Sequence, residues 1–95
     1  MKRLPVELGS IVISKAGRDR GRPFLVVGVV DDDFVMVANG ALRKMDRQKK
    51  KRRKHLKPTG RVVAELKQRL SQAKPVEDHE LRTWLSEEEE KLVQV

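Results

Sequence analysis

Apolar residues fall into three short runs over the first half of the chain and two helical stripes over the second. Gly9-Ser10-Ile11-Val12-Ile13-Ser14 is a short β-branched run, Phe24 to Val30 is a valine-rich run, and Phe34-Val35-Met36-Val37-Ala38 is a third. β-Branched side chains are stiff at χ1 and pack well on a pleated surface, so each run predicts a strand. Asp31-Asp32-Asp33 separates the second and third runs as a polar turn. Asn39-Gly40 ends the third run, and Ala41-Leu42-Arg43-Lys44-Met45 follows. Asn-Gly suits a type I′ turn, which needs positive φ at both central residues, so a tight hairpin is predicted there. Strands at this spacing predict a small barrel or meander rather than a βαβ unit.

The apolar period then changes. Pro58-Thr59 predicts a break and an N-cap hydroxyl, after which Val62, Val63, Leu66, Leu70 and Ala73 share one helical face. Lys74-Pro75 stops that helix, because proline lacks the N–H and clashes backwards. Asp78 is positioned to cap a second helix whose stripe is Leu81, Trp84, Leu85 and Leu92, with Glu88 interrupting it. Ser86 with Glu89 matches a capping box, so the last turns form a separate helix or fray. The expected division is a β segment over 1–57, containing a basic arm over 43–57, and a helical extension over 58–95. Phe24 and Phe34 are assigned to the barrel core. Trp84, on an apolar stripe, is assigned to the core in preference to base stacking.

Composition sharpens this outline. Ninety-five residues suit one domain with a limited core, and equal shares of hydrophobic and charged residues, 38% each, leave a solvated or partner-dependent part. The formal charge of +8 makes RNA, DNA or an anionic membrane the natural partners. That charge is segregated: Ala41 to Arg61 holds eleven Lys/Arg against Asp46 alone, whereas Val76 to Val95 holds two against seven acids. Cysteine is absent, which excludes disulfides, thiolate metal sites and cysteine catalysis and fits a cytoplasmic protein. Met1-Lys2-Arg3-Leu4-Pro5 has no following apolar run of signal-peptide type, and no stretch is apolar for long enough to span a bilayer.

Lys49-Lys50-Lys51-Arg52-Arg53-Lys54-His55 is the densest charge. Each cation placed on a phosphate releases condensed counterions, which supplies salt-sensitive affinity without reading sequence. Like charges this close repel, so the run is expected to be loose without a partner. The alternatives are a solvated run with no specific target, a nuclear-localisation stretch, or a membrane-surface binder. The last wants bulky apolar residues opposite the charges, and none lies between Lys49 and Lys54. A second candidate is Lys15-Ala16-Gly17-Arg18-Asp19-Arg20-Gly21-Arg22, between the first two strands. Its glycines are expected to let backbone N–H groups converge on an anion while the arginines reach outward and Asp19 orients one of them. The alternative is a tight loop whose arginines only solvate.

These residues resemble a KOW motif: Gly9-Ser10-Ile11-Val12, then Gly17 and Gly21, then Phe24-Leu25-Val26-Val27-Gly28. The Gly17–Arg22 version is similar to the fourteen-e type large-subunit ribosomal proteins of archaea and eukaryotes. The chain resembles still more the short single-KOW RNA-binding proteins of Gram-positive bacteria, through Asn39-Gly40-Ala41-Leu42-Arg43, Lys49-Lys50-Lys51 and Lys54-His55-Leu56. The resemblance covers about Gly9 to Leu56; the family often has aspartate in place of Asn39 and proline in place of Gln48. It implies a mainly β fold with α, namely a five-stranded SH3-like barrel, together with RNA binding and ribosome association. The expected RNA-binding residues are Lys15, Arg18, Arg20, Arg22, Arg43, Lys44, Arg47, Lys49, Lys50, Lys51, Arg52, Arg53, Lys54, His55 and Lys57.

Catalysis has little support. His55 lies among cations and His79 among acids, no close His pair has metal-ligand spacing, and Ser14 and Ser86 have no visible base. Asp31-Asp32-Asp33 lacks the spaced ligands of a calcium loop and is read as a solvated turn. No cofactor is expected. The expectation is therefore a monomeric, non-catalytic protein bound to rRNA of the large subunit, with ribosomal proteins as further partners and no membrane. The alternatives are a module docking on ribosomal or transcription proteins, and a general polyanion or membrane-surface binder. One further expectation concerns Glu87–Glu90, which can fold back onto the basic arm or form only a solvated helix face.

Overall fold

The computed structural model describes residues 6–93 of the chain. Its strands are β1 (Ser10–Ser14), β2 (Pro23–Val29), β3 (Phe34–Ala38), β4 (Lys49–Arg52) and β5 (Leu56–Val62), followed by α1 (Ala64–Ser71) and α2 (Asp78–Val93). All strand pairs are antiparallel, in the order β4-β3-β2-β1-β5. Single 3-10 turns over Met45–Arg47 and Arg53–His55 flank β4. This mainly β architecture with two helices agrees with the expected SH3-like barrel. Among the described residues, no helix is long and apolar enough to cross a membrane.

The uninterrupted apolar run of β2 is explained by burial on both faces. Phe24 and Val26 point inward and pack with Val12, Val35, Val37 and Leu56. Leu25 and Val27 point outward, where Ile11, Ala38 and the helical residues Leu66, Leu81 and Leu85 cover them. The helices therefore roof the outer face of the sheet. Arg69 ties them together, pairing with Glu65 at 2.7 Å within α1 and with Glu80 of α2, while its guanidinium lies 5.8 Å from the Trp84 ring centroid. The hydrogen bond from Arg69, seconded by the Glu77 backbone N–H, holds the Glu80 carboxyl below its ordinary range. Trp84 is half-buried against this outer cluster, as its stripe position predicts.

Several expectations are corrected. Asn39-Gly40 does not form a two-residue hairpin turn, and Ala41 to Met45 is not a strand. The Asn39 side-chain oxygen accepts from the backbone N–H groups of Ala41 and Arg43, opening a wider loop. That loop docks on α2: the Met45 N–H donates to Asp78 Oδ1 at 2.7 Å. Asp78 thus holds a distant loop, and the Glu80 carboxylate accepts the Glu77 N–H at the helix start instead. Pro58-Thr59 does not break the chain before a helix. Both residues lie inside β5, where Thr59 Oγ1 donates to the Ile11 carbonyl and Pro58 sits opposite Val12. β5 borders the sheet on one side only, so the N–H that proline lacks is not required there. The helix start moves to Val63, which caps without a side-chain bond. Ala73 is past α1, with φ 55, and ends it as the Lys74 N–H reaches the Arg69 carbonyl. The second helix runs unbroken through Ser86; the Glu89 side chain of the expected capping box and the Leu92 side chain lie outside the described residues.

Gly40 is where loop and helix approach most closely. Its φ is 76, and a Cβ there would lie 2.2 Å from the Asp78 carbonyl oxygen. Gly40→Ala combines left-handed backbone strain with a clash, and is expected to cost about 2 kcal/mol or more. Urea unfolding checks this; an unchanged midpoint would show that the loop does not fix α2.

Candidate nucleic-acid interface

The β1–β2 loop is closed by its own backbone. Gly17 and Gly21 adopt φ 74 and 85, and the Arg20, Gly21 and Arg22 N–H groups donate to the Gly17, Ser14 and Asp19 carbonyls. Those N–H groups are therefore used inside the loop, and the expected backbone anion nest does not form. The side chains of Arg18, Arg20 and Arg22 are exposed, with no carboxylate partner among the described residues.

Asp19 does not orient an arginine. It turns inward, 8% exposed, and its Oδ2 lies 2.9 Å from Lys49 Nζ and 3.6 Å from Lys51 Nζ. Lys51 Nζ also donates to Ser14 Oγ at 2.9 Å, and Ser14 Oγ donates to the Ala16 carbonyl. The Lys49 hydrogen bond, with the charges of Lys49 and Lys51, lowers the Asp19 pKa against the opposing effect of burial. This bridge joins the arginine loop to β4 across thirty residues of sequence.

The basic run is consequently not a loose arm. Lys49–Arg52 is a strand paired with β3 in the register Val37↔Lys49 to Phe34↔Arg52. Strand alternation sends Lys49 and Lys51 towards Asp19 and leaves Lys50 and Arg52 exposed on the opposite face. The self-repulsion expected of the run is relieved by that split and by the Asp19 carboxylate. Lys51 is 8% exposed and committed to the interior. Arg53 is half-buried, its guanidinium donating to the Val6 carbonyl at 2.6 Å and, less closely, to the Asp31 carbonyl. Lys54 is exposed, and half-buried His55 accepts the Lys15 N–H through its carbonyl.

The remaining cations divide by position. Leu25 pairs with Ala38, so the β1–β2 and β3–β4 loops leave the sheet at the same end. Arg18, Arg20 and Arg22 therefore share that end with Arg43, Lys44 and Arg47, and Arg22 lines a groove with Asn39 and Arg82. Lys15, Arg52 and Lys54 line a separate cleft with Asp32 and Asp33. Lys57 lies on β5 opposite Ile13. Two residues absent from the sequence-based set also belong to the basic surface. Phe34, assigned to the core, is half-buried at the start of β3, with Lys50 and Arg52 over its ring. Exposed Arg61 pairs at 3.3 Å with buried Glu88, so the interruption of the apolar stripe is a carboxylate partnered from another element. Only a cross-strand partner for Phe34 could have signalled the first, and the β4 register was not legible. Of the acidic run, Glu87 is exposed, and the Glu89 and Glu90 side chains lie outside the described residues. The Asp31 carboxylate accepts the backbone N–H groups of Asp33 and Phe34, as a polar turn does.

No family model matches the chain. Over 58 residues, 61% of the chain, it is 34% identical to the large ribosomal subunit protein eL14 of Desulfurococcus amylolyticus. Over a stretch of the same length it is 28% identical to the protein of that name from Staphylothermus marinus. The chain spans 60% of the length of each of these relatives. It is thus ribosomal-protein-like over that stretch.

Proposed function

We propose that this chain is a non-catalytic, KOW-type RNA-binding protein that associates with rRNA of the large ribosomal subunit. The observation that carries this is the Asp19 bridge, which pins the arginine loop to the lysine strand and makes a rigid cationic surface of Arg18, Arg20 and Arg22. Arg43, Lys44 and Arg47 extend that surface on the neighbouring loop. A preorganised set of arginines suits the phosphates and 2′-hydroxyls of folded RNA, read by shape rather than by base sequence. The likeness to large-subunit ribosomal proteins supports rRNA as the target. In this reading the β segment carries the RNA contacts and the helical segment stiffens it from behind, in a monomeric cytoplasmic protein.

Crosslinking in cells followed by RNA sequencing, with gradient sedimentation, tests the target. Large-subunit rRNA should dominate the crosslinks, and the protein should travel with large subunits. Binding to an rRNA fragment should weaken with salt at a log–log slope of roughly −0.7 to −0.9 per phosphate contacted. Equal affinity for anionic vesicles at the same ionic strength would favour a general polyanion binder and sink the rRNA assignment.

A further inference from the structure

The three aromatic residues have different fates. Phe24 is fully buried and Trp84 packs on the helical cluster, whereas Phe34 is half-buried at the start of β3, on the face of the β3–β4 pair that carries Lys50 and Arg52. Arg52 is its direct cross-strand partner, and Lys50 lies two residues along the same face of β4. Lys50 Nζ is 4.6 Å and Arg52 Cζ 5.1 Å from the ring centroid. Neither cation pairs with a carboxylate among the described residues, although acids flank the neighbouring turn. Arg52 also lines a cleft of about 780 Å³ together with Lys54, apolar Leu56 and Pro58, and the acids Asp32 and Asp33.

This combination selects a ligand class. A bare phosphate would need only the cations and would be repelled by Asp33. A duplex hides the flat faces of its bases. An unpaired nucleotide offers a π face for the ring and guanidinium, a phosphate for the ammonium groups, and amino or hydroxyl donors for the carboxylate. We propose that Phe34, Lys50 and Arg52 form a stacking site for an unpaired base of single-stranded RNA. The base stacks on the exposed Arg52 guanidinium, which the Phe34 ring backs, and Lys50 and Lys54 take the flanking phosphates. The site lies on the opposite face of β4 from the Asp19 bridge. It rests on the RNA-binding proposal and adds to it the reading of an unpaired residue next to structured RNA.

The test uses the full chain with two probes at one ionic strength: a short single-stranded RNA carrying 2-aminopurine, and a blunt-ended RNA duplex. The wild type should bind both and quench 2-aminopurine fluorescence. Phe34→Leu should weaken single-strand binding on the order of tenfold and remove the quenching, with duplex binding unchanged. Phe34→Tyr should preserve both. Arg52→Lys keeps the charge and loses the planar guanidinium, so it should reduce quenching and weaken single-strand binding more than duplex binding, and it leaves the ring in place if the leucine variant fails to fold. Wild-type quenching in both Phe34→Leu and Arg52→Lys would overturn the site, as would a parallel loss on the duplex. A wild type that binds the duplex alone would overturn the site but not the RNA reading; binding to neither probe would overturn both.

Discussion

Asp19→Asn is expected to destabilise the protein by about 3 kcal/mol, because it leaves a buried cation without its counter-charge. Lys51 is 8% exposed, and the neutral Ser14 hydroxyl would be its remaining close partner. The same change frees the arginine loop from β4, so RNA affinity should fall even where the protein remains folded. Lys51→Met should cost much less, since Lys49 still holds Asp19 at 2.9 Å and Ser14 Oγ keeps its bond to the Ala16 carbonyl. Urea unfolding at neutral pH separates the two; equal midpoints for Asp19→Asn and wild type would show that the bridge does not stabilise the fold. The pH dependence has a defined sign. The Asp19 pKa in the folded protein lies below the ordinary value of 3.8, chiefly through the Lys49 hydrogen bond. Its contribution is present in full above the unfolded value and is lost as pH falls through the folded one. Between about pH 5 and pH 2 the wild type should therefore lose stability more steeply than Asp19→Asn.

Changing Arg18, Arg20 and Arg22 together to glutamine should leave the fold intact and weaken RNA binding by roughly a hundredfold at about 0.1 M salt. The three side chains are exposed, and the loop is closed by backbone bonds and by Asp19 rather than by its arginines. Each lost phosphate contact removes roughly 0.7–0.9 of a decade at that salt, so the log–log slope should become shallower by about 2–3. Fluorescence anisotropy across a salt series measures both. A triple variant with the wild-type slope would mean that the loop does not touch phosphate, and would move the interface to the Arg52–Lys54 side of the barrel.

How far the sequence could be read depended on the kind of signal. β1, β2 and β3 were legible because their apolar runs are bounded by polar turns, and α1 and α2 because Leu66 and Leu70 in one and Leu81 and Leu85 in the other recur at helical spacing. β4 was not legible, since Lys49, Lys50, Lys51 and Arg52 show no change in polarity from one face to the other. Its strand state is imposed by the β3 edge and by Asp19. Thr59 misled because a hydroxyl near a proline looks like a cap from either side; here it serves the Ile11 carbonyl, forty-eight residues away. Glu88 read as a flaw in a stripe for the same reason, its partner Arg61 being on another element.

By itself the sequence determined the order and type of most elements, the core residues of β2, and the strongly cationic character of the chain. These follow from local propensity and from the apolar period, which neighbouring residues carry between them. Only the tertiary structure decided which cations face outward, which are used internally, and that the arginine loop and the lysine strand form one rigid unit. Those outcomes depend on a single buried carboxylate meeting two ammonium groups across the barrel, and no local pattern records a contact between residues thirty positions apart.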